Sequence, residues 1–469
     1  MHDGLLCLLW DTVPDGAQRV AQGLARTVAR RGAGTVVHTD RKRAVMEKLR
    51  GAMNLFTPAL LLFMAGMILA NIAGDMSWSL MPLYVQSLGA DLKQIGLFFT
   101  VSSIAPLVLQ LLGGFVSDSI GRLRAVAIGS IAGSIGYLFY VAAPSWSWLL
   151  VGHAISRLAG CFVAPSYQAF IAEQSAEETR ARVFAVSESA FSVVGIVGPP
   201  IGGFLSQRYG FRWMFAAAGV LYLAATAIRI GMGLRARSQS SSTYHEPQKM
   251  TLAALKSNMS AMVGLVLAGG VMTWLFLSDG VNDIAFSVAN HFDPIYQSNV
   301  IGMSNIQITW VISAFFVVRM IALPFGGVLA DKAGERAGIC LGHLLCGVGG
   351  AVFLMGTAYP HFVAVSALYG LGVSLLSPAY NSLVSKVVPM SIRGTAFGLV
   401  STTLGVASLP APYIGGLMWA KLGPKAPFVL PLFASLGMAV VLWFKLPGKA
   451  DAKGSASSMR PSPSHTSES

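Results

Sequence analysis

Charge is what this chain has least of. Only 11% of its 469 residues are Asp, Glu, Lys or Arg, against 54% hydrophobic, whereas a soluble domain needs about 25% charged residues to cover its surface. That shortfall excludes a soluble globular protein and leaves a polytopic membrane protein. Cysteine is scarce as well. Cys161, Cys340 and Cys346 fall in apolar runs and Cys7 near the start, so there is no disulfide framework. The spacing of Cys340 and Cys346 turns them off one helical face, which argues against a metal pair. The chain also lacks HExxH, GxSxG, a phosphate-binding glycine loop and any cluster of His and Cys. No enzyme, metal site or cofactor is therefore expected.

The formal charge of +13 invites a nucleic-acid partner, but its distribution says otherwise. Loops on one side carry about twenty Lys and Arg and those on the other about five, the bias expected of cytoplasmic loops. The expected partners are the lipid bilayer, a small-molecule substrate and protons, with no nucleic acid and a monomeric state.

One stretch recurs. GGFVSDSIGRLRA at 113–125 returns as GGVLADKAGERAG at 326–338, with Asp331 placed 213 positions after Asp118. At the same offset Gly89 meets Gly302, and Pro165 and Tyr167 meet Pro378 and Tyr380. Arg180 and Phe184 meet Arg393 and Phe397, and Pro199, Gly202 and Gly203 meet Pro412, Gly415 and Gly416. One gapless register over more than a hundred residues means two copies of one membrane unit.

Residues 1–52 read as a basic cytoplasmic tail, with an amphipathic helix on anionic lipid, a transit-like extension, or an unused start before Met46 as open alternatives. Residues 53–234 read as a first six-helix bundle, 235–258 as a polar linker, 259–446 as a second bundle and 447–469 as a disordered Ser-rich tail. Twelve apolar spans of roughly 20 residues each are expected. They lie near 56–86, 92–116, 122–142, 146–172, 182–206, 212–233, 260–291, 304–330, 336–357, 361–385, 394–419 and 425–445. An even number of spans puts both termini on one side, the cytoplasmic one by charge.

The turn after the second span, with Gly114, Asp118, Gly121 and Arg122, resembles the G-x-x-x-D-x-x-G-R motif of the major facilitator superfamily. The chain is similar to the drug–proton antiporter branch over residues 55–446. The resemblance implies an all-α integral membrane fold of twelve transmembrane helices in two pseudo-repeated six-helix bundles around a central cavity. It further implies a conformational latch at Gly114, Asp118, Gly121 and Arg122, repeated at Gly327, Asp331 and Gly334, with Glu173, Arg180 and Arg393 in the same cluster. A plain tight turn would account for the arginines but not for the repeated aspartate. Ser119 stands where the family has a basic residue, and Glu335 stands where the first copy has Arg122, so the second latch is expected to be weaker.

In the fifth span, GIVGPPIGG at 195–203 is similar to the family's antiporter motif through Gly198, Pro199, Gly202 and Gly203, and implies a hinge. Packing there depends on side-chain volume, so Gly202→Ala should be partly tolerated and Gly202→Leu not. Arg157 resembles the family's fourth-span arginine, with Gly160 one place early. Charges at mid-membrane are costly and read as functional: Asp75, Arg157, Glu188, Asp279, Asp283 and Arg319 are the coupling and cavity candidates. Rise per residue places Asp75 and Arg157 at about the same depth, roughly 13–17 Å in, so that they can pair; Asp279 and Arg319 likewise reach mid-membrane at roughly 18–21 Å. His153 and His343 alone indicate nothing. The reading is a secondary transporter of the plasma membrane, driven by the proton gradient and exporting small, largely apolar molecules. The rivals are a metabolite importer or facilitator of the same superfamily, and a non-transporting sensor.

Overall fold

The computed structural model describes residues 57–175, 179–239, 264, 269–387 and 404–448, with backbone alone at 108–120, at 236–239 and at five positions between 165 and 185. The expected N-terminal tail, most of the linker, Arg393 and nearly all of the C-terminal tail lie outside the described residues, and so do the side chains of the turn that carries Asp118.

The first copy comprises α1 (Pro58–Trp78), α2 (Met81–Ser87), α3 (Leu92–Ile120), α4 (Arg122–Ala142), α5 (Trp146–Gln174), α6 (Arg180–Tyr209) and α7 (Phe211–Gln239). The second comprises α8 (Val271–Ala289), α9 (Asp293–Asn299), α10 (Asn305–Ala333), α11 (Glu335–Met355), α12 (Tyr359–Val387), α13 (Ala411–Leu422) and α14 (Ala426–Lys445). Among the described residues nine of these helices are long and apolar enough to cross a membrane; α3, α8 and α13 stand where the other three spans are expected. An apolar chain in lipid has no water to satisfy its amides, and the helix satisfies them internally.

The 213-residue register holds in three dimensions. The bounds of α3, α4 and α5 reappear in α10, α11 and α12 at that offset without a residue's shift. The turn glycines Gly121 and Gly334 have φ of 92° and 91°, a region that a side chain rarely enters, so each motif turn needs glycine at that point. One detail differs from the expected spans. The first is a long helix followed by a short one, α1 with α2; the seventh ends at α8 near the expected residue 291, and α9 follows it, and each short helix has proline in its first turn. Proline lacks the amide that would continue the preceding helix.

Helices α1 and α3–α7 pack among themselves, as do α8 and α10–α14, and the two groups join chiefly where α6 meets α10 and α3 meets α13. The largest aromatic core gathers at the end carrying α2 and α9, where Tyr84, Phe98, Tyr140, Phe215, Phe292, Tyr296, Phe353 and Phe428 are buried. At this short-helix end residues of both copies share one packed core. Across the seam there, Asn305 Nδ2 donates to Ser206 Oγ at 3.1 Å, the Ile306 amide to Gln207 Oε1 at 3.2 Å, and the Tyr413 amide to Thr100 Oγ1 at 3.3 Å. The opposite end carries the two motif turns.

Candidate functional site

Asp75 sits on α1 where α6 presses against it. A Cβ built at Gly198 would lie 2.8 Å from the Asp75 Cβ, and one at Gly202 would lie 2.1 Å from the Met76 carbonyl oxygen. The glycines of the fifth-span motif thus bring α6 onto the backbone of the residue next to Asp75. Gly203 faces the other way, toward Asn305 and Thr309 of α10. Pro199 and Pro200 lie inside α6, which continues through them. The motif is therefore a three-helix contact, and it joins the half-buried Asp75 to the seam.

Asp75 and Arg157 are not ion-paired. Among the described residues neither side chain has a hydrogen-bond or ion-pair partner. The Arg157 guanidinium lies 5.2 Å from the centroid of the Trp78 ring instead, a cation–π contact on the same face of α1 as Asp75 and one turn further along. Trp78 also stacks on His153 at 5.9 Å, and His153 shares a 3.0 Å hydrogen bond with Tyr140. From the second copy His291 stacks on Phe99 and meets the edge of Trp78.

In the second copy Asp279 and Arg319 are not paired either. Asp279 accepts from the Tyr380 hydroxyl, Asp283 accepts from Ser408 Oγ at 2.5 Å, and Arg319 is half-buried with its carbonyl accepting from Ser374 at 3.2 Å. Glu188 is exposed on α6. His343 is buried and shares a 3.2 Å hydrogen bond with Ser278, next to Asp279. A pocket of about 340 Å³ between α2 and the α6–α7 turn, lined by Tyr84, Phe211 and Trp213 among others, holds none of these carboxylates.

At the motif end, Arg122 Nε lies 3.1 Å from Glu173 Oε1, which brings two of the expected latch residues together. Asp331 is exposed and Arg180 opens α6, also exposed. In the second copy Glu335, which stands in the place of Arg122, pairs with Lys386, which stands in the place of Glu173. The pair is kept with its charges exchanged, and Ser382 adds a 2.8 Å hydrogen bond to Glu335. The close helix contact of the second motif belongs to Gly326, where a Cβ would lie 2.0 Å from the Ser374 carbonyl, while Gly327 faces open space.

Sequence reasoning passed over His291, Lys386, Tyr380 as a partner for Asp279, and Arg229. The last is 2% exposed and bonds to Ser130 Oγ at 2.8 Å and Met67 Sδ at 3.0 Å; its Nε has no partner among the described residues. The signal for the first two was present, because His291 and Lys386 are the 213-offset counterparts of Trp78 and Glu173.

Compared with known proteins, the chain matches the family model of the Major Facilitator Superfamily over residues 63–299 and 275–466. It is 24% identical over 389 residues to the uncharacterized MFS-type transporter YttB of Bacillus subtilis (strain 168), covering 81% of this chain and 93% of that one. It is 21% identical over 376 residues to the quinolone resistance protein NorA of Staphylococcus aureus (strain MRSA252), covering 80% and 92%. Among solved structures, a D-xylose–proton symporter superposes with a TM-score of 0.63 at 14% identity, over 83% of this chain and 97% of that one. A peptide transporter POT in complex with sulfate gives 0.64 at 15%, over 82% and 93%.

Proposed function

We propose, since this chain belongs to the Major Facilitator Superfamily, that it is a proton-coupled exporter of small, largely apolar molecules, working by alternating access with Asp75 as the coupling carboxylate. Its membership makes it a secondary transporter and not an enzyme. Export is favoured by the similarity to a quinolone resistance protein and by the antiporter-like motif on α6. The bias of Lys and Arg puts the motif turns, with both termini, in the cytoplasm and the short-helix end outside.

The observation that carries the coupling role is the position of Asp75. Its carboxylate is half-buried without a hydrogen-bonding partner among the described residues, and its Cβ is pressed against Gly198 of the helix that also holds the seam. A lone carboxylate in a drying cavity takes up a proton; one reached by Arg157 keeps its charge. Proton uptake from outside and release inside then change what α1 presents to α6, and the contact at Gly202 and Gly203 passes the change to α10.

Asp75→Asn should abolish uphill, pH-driven export in inverted vesicles yet retain substrate binding that no longer varies with pH. If the variant still builds a substrate gradient from an imposed pH gradient, Asp75 is not the coupling group, and Asp279 becomes the carboxylate to test. Substrate moving with the protons in the same vesicles would favour the importer reading instead.

A further inference from the structure

Trp78 and His291 stand 213 positions apart, so they are one position of the two copies, and they touch, with ring centroids 6.2 Å apart and edge to face. A residue meets its own repeat counterpart only near the axis relating the copies. Their contact therefore lies in the seam close to that axis, where opening the short-helix end has to part α1 from the segment after α8. His291 is also stacked on Phe99 of α3, with centroids 3.8 Å apart and planes within 7°. One side chain from the second copy thus makes two contacts across the seam, and it is an imidazole, whose ordinary range in water lies near neutral pH.

We propose that His291 is the proton-sensitive half of the outward gate. Neutral, it holds the seam shut on Phe99 and Trp78; protonated from the outer side, it lets the seam open. This gate presupposes the orientation and proton coupling proposed above.

The groups facing His291 are few. From α5 come His153, stacked on Trp78, and Arg157, which lies over Trp78 and whose charge reaches both imidazoles. From α1 comes Asp75, one turn from Trp78 and lying against Gly198. The rings that α3 contributes, Phe98 and Phe99, do not ionise. On the histidine's own segment Asp293 is engaged by Gln297 Nε2 at 2.6 Å. Of the two unpaired charges near Trp78, it is Arg157 and not Asp75 whose charge reaches His291.

A proton on His291 adds a second cation to that shelf, where the imidazole is half-buried. Desolvation and repulsion by Arg157 both oppose it while the seam is shut. The cation–π attraction to Phe99 favours it but is the weaker effect. Parting the seam admits water to the imidazolium and moves it away from Arg157, so protonation and opening favour each other. A gate that opens when protons arrive outside would expose Asp75, one helical turn further in, at the moment it must load.

Thr100 supplies the reporter, because its Oγ1 accepts the Tyr413 amide across the seam. In a protein with Cys7, Cys161, Cys340 and Cys346 replaced by Ser, Thr100→Cys would be labelled in intact cells by an impermeant thiol reagent at about pH 7.5 and about pH 5.5. Dividing by the rate for Ser298→Cys on α9 cancels the effect of pH on thiol reactivity. The normalised rate should rise on acidification by up to about tenfold per pH unit, the limit for one linked proton. It should stay flat in His291→Phe, which keeps the ring stack, and in His291→Gln, which keeps polarity without charge. A wild-type pH response in both variants overturns the gate, as does a flat response with His291 intact. Asp75→Asn separates the two claims: it should retain pH-dependent labelling, and uphill export by that variant would overturn the coupling reading while leaving the gate standing.

Discussion

Gly202→Ala is the smallest change that tests whether α6 acts through a backbone contact with α1. The added methyl would lie 2.1 Å from the Met76 carbonyl oxygen, 2.8 Å from its carbon and 2.9 Å from its Cα. These are main-chain atoms, so no rotamer change relieves the clash. Ordinary contact begins at 3.4 Å, and α1 and α6 would have to part by about 1.3 Å, an overpacking that costs about 1–3 kcal/mol. Partial tolerance of alanine was the expectation from sequence; the contact is tighter than side-chain volume alone suggests. Thermal unfolding of the purified protein in detergent measures the cost, and export measures its consequence for coupling. Gly160→Ala and Gly231→Ala are the controls, since a Cβ at either meets nothing within 4 Å. Gly415→Ala should behave like Gly202→Ala, because its Cβ would lie 2.1 Å from the Val288 carbonyl oxygen in the second copy. If Gly202→Ala unfolds at the temperature of Gly160→Ala and exports normally, the close contact is not what the glycine provides.

Two further changes follow from the charges. Arg122→Glu should slow transport while altering stability by less than about 1 kcal/mol, because the pair with Glu173 is solvent-exposed. Adding Glu173→Lys should restore much of the rate, since that combination is the one found as Glu335 and Lys386; a double variant no faster than the single one would show that Arg122 acts through other contacts. Arg229→Leu places in α7 the residue that α14 carries at the equivalent position, Leu442, which is fully buried. It should raise the thermal midpoint, because a guanidinium this buried, with no carboxylate partner among the described residues, costs more in desolvation than its bonds to Ser130 and Met67 return. A lowered midpoint would refute that balance.

Helix positions were legible because two independent constraints act on them. Bilayer thickness sets the length of each apolar run, and the duplicated register sets its place, so an element weak in one copy is marked by its counterpart. The break between α1 and α2 was not, since apolarity continues across it and proline at the start of the short helix ends the long one without a change of composition. Pairing was the least legible. A rise of about 1.5 Å per residue gives depth, but each residue also turns the side chain by about 100°. Asp75 and Arg157 share a depth and still do not meet, because Trp78 takes the guanidinium. Asp279 finds Tyr380 and not Arg319 for the same reason. Depth narrows the partners of a buried charge; only azimuth chooses among them.

The two copies have kept their backbone contacts and dispersed their charges. Gly202 and Gly203 press on α1 and α10 as Gly415 and Gly416 press on α8 and α3, so the surfaces on which the halves move are the same twice over. The mid-membrane charges are not duplicated. Asp75, Arg157 and Arg229 face Val288, Gly370 and Leu442 at the equivalent positions, and Asp279, Asp283 and Arg319 face Gly66, Ala70 and Pro106. A close helix approach works for any chemistry and is spoiled by one added carbon, which holds both copies to glycine. A charge in the membrane is costly wherever it stands, so a second equivalent one adds cost without adding a new coupling step. The same division explains the axis, where duplicated geometry brings one position of each copy face to face and divergence has made one of them tryptophan and the other histidine. A symmetric hinge with asymmetric charges can move in one way while responding differently to the two sides of the membrane, which is what the proposed exchange against a proton gradient would require.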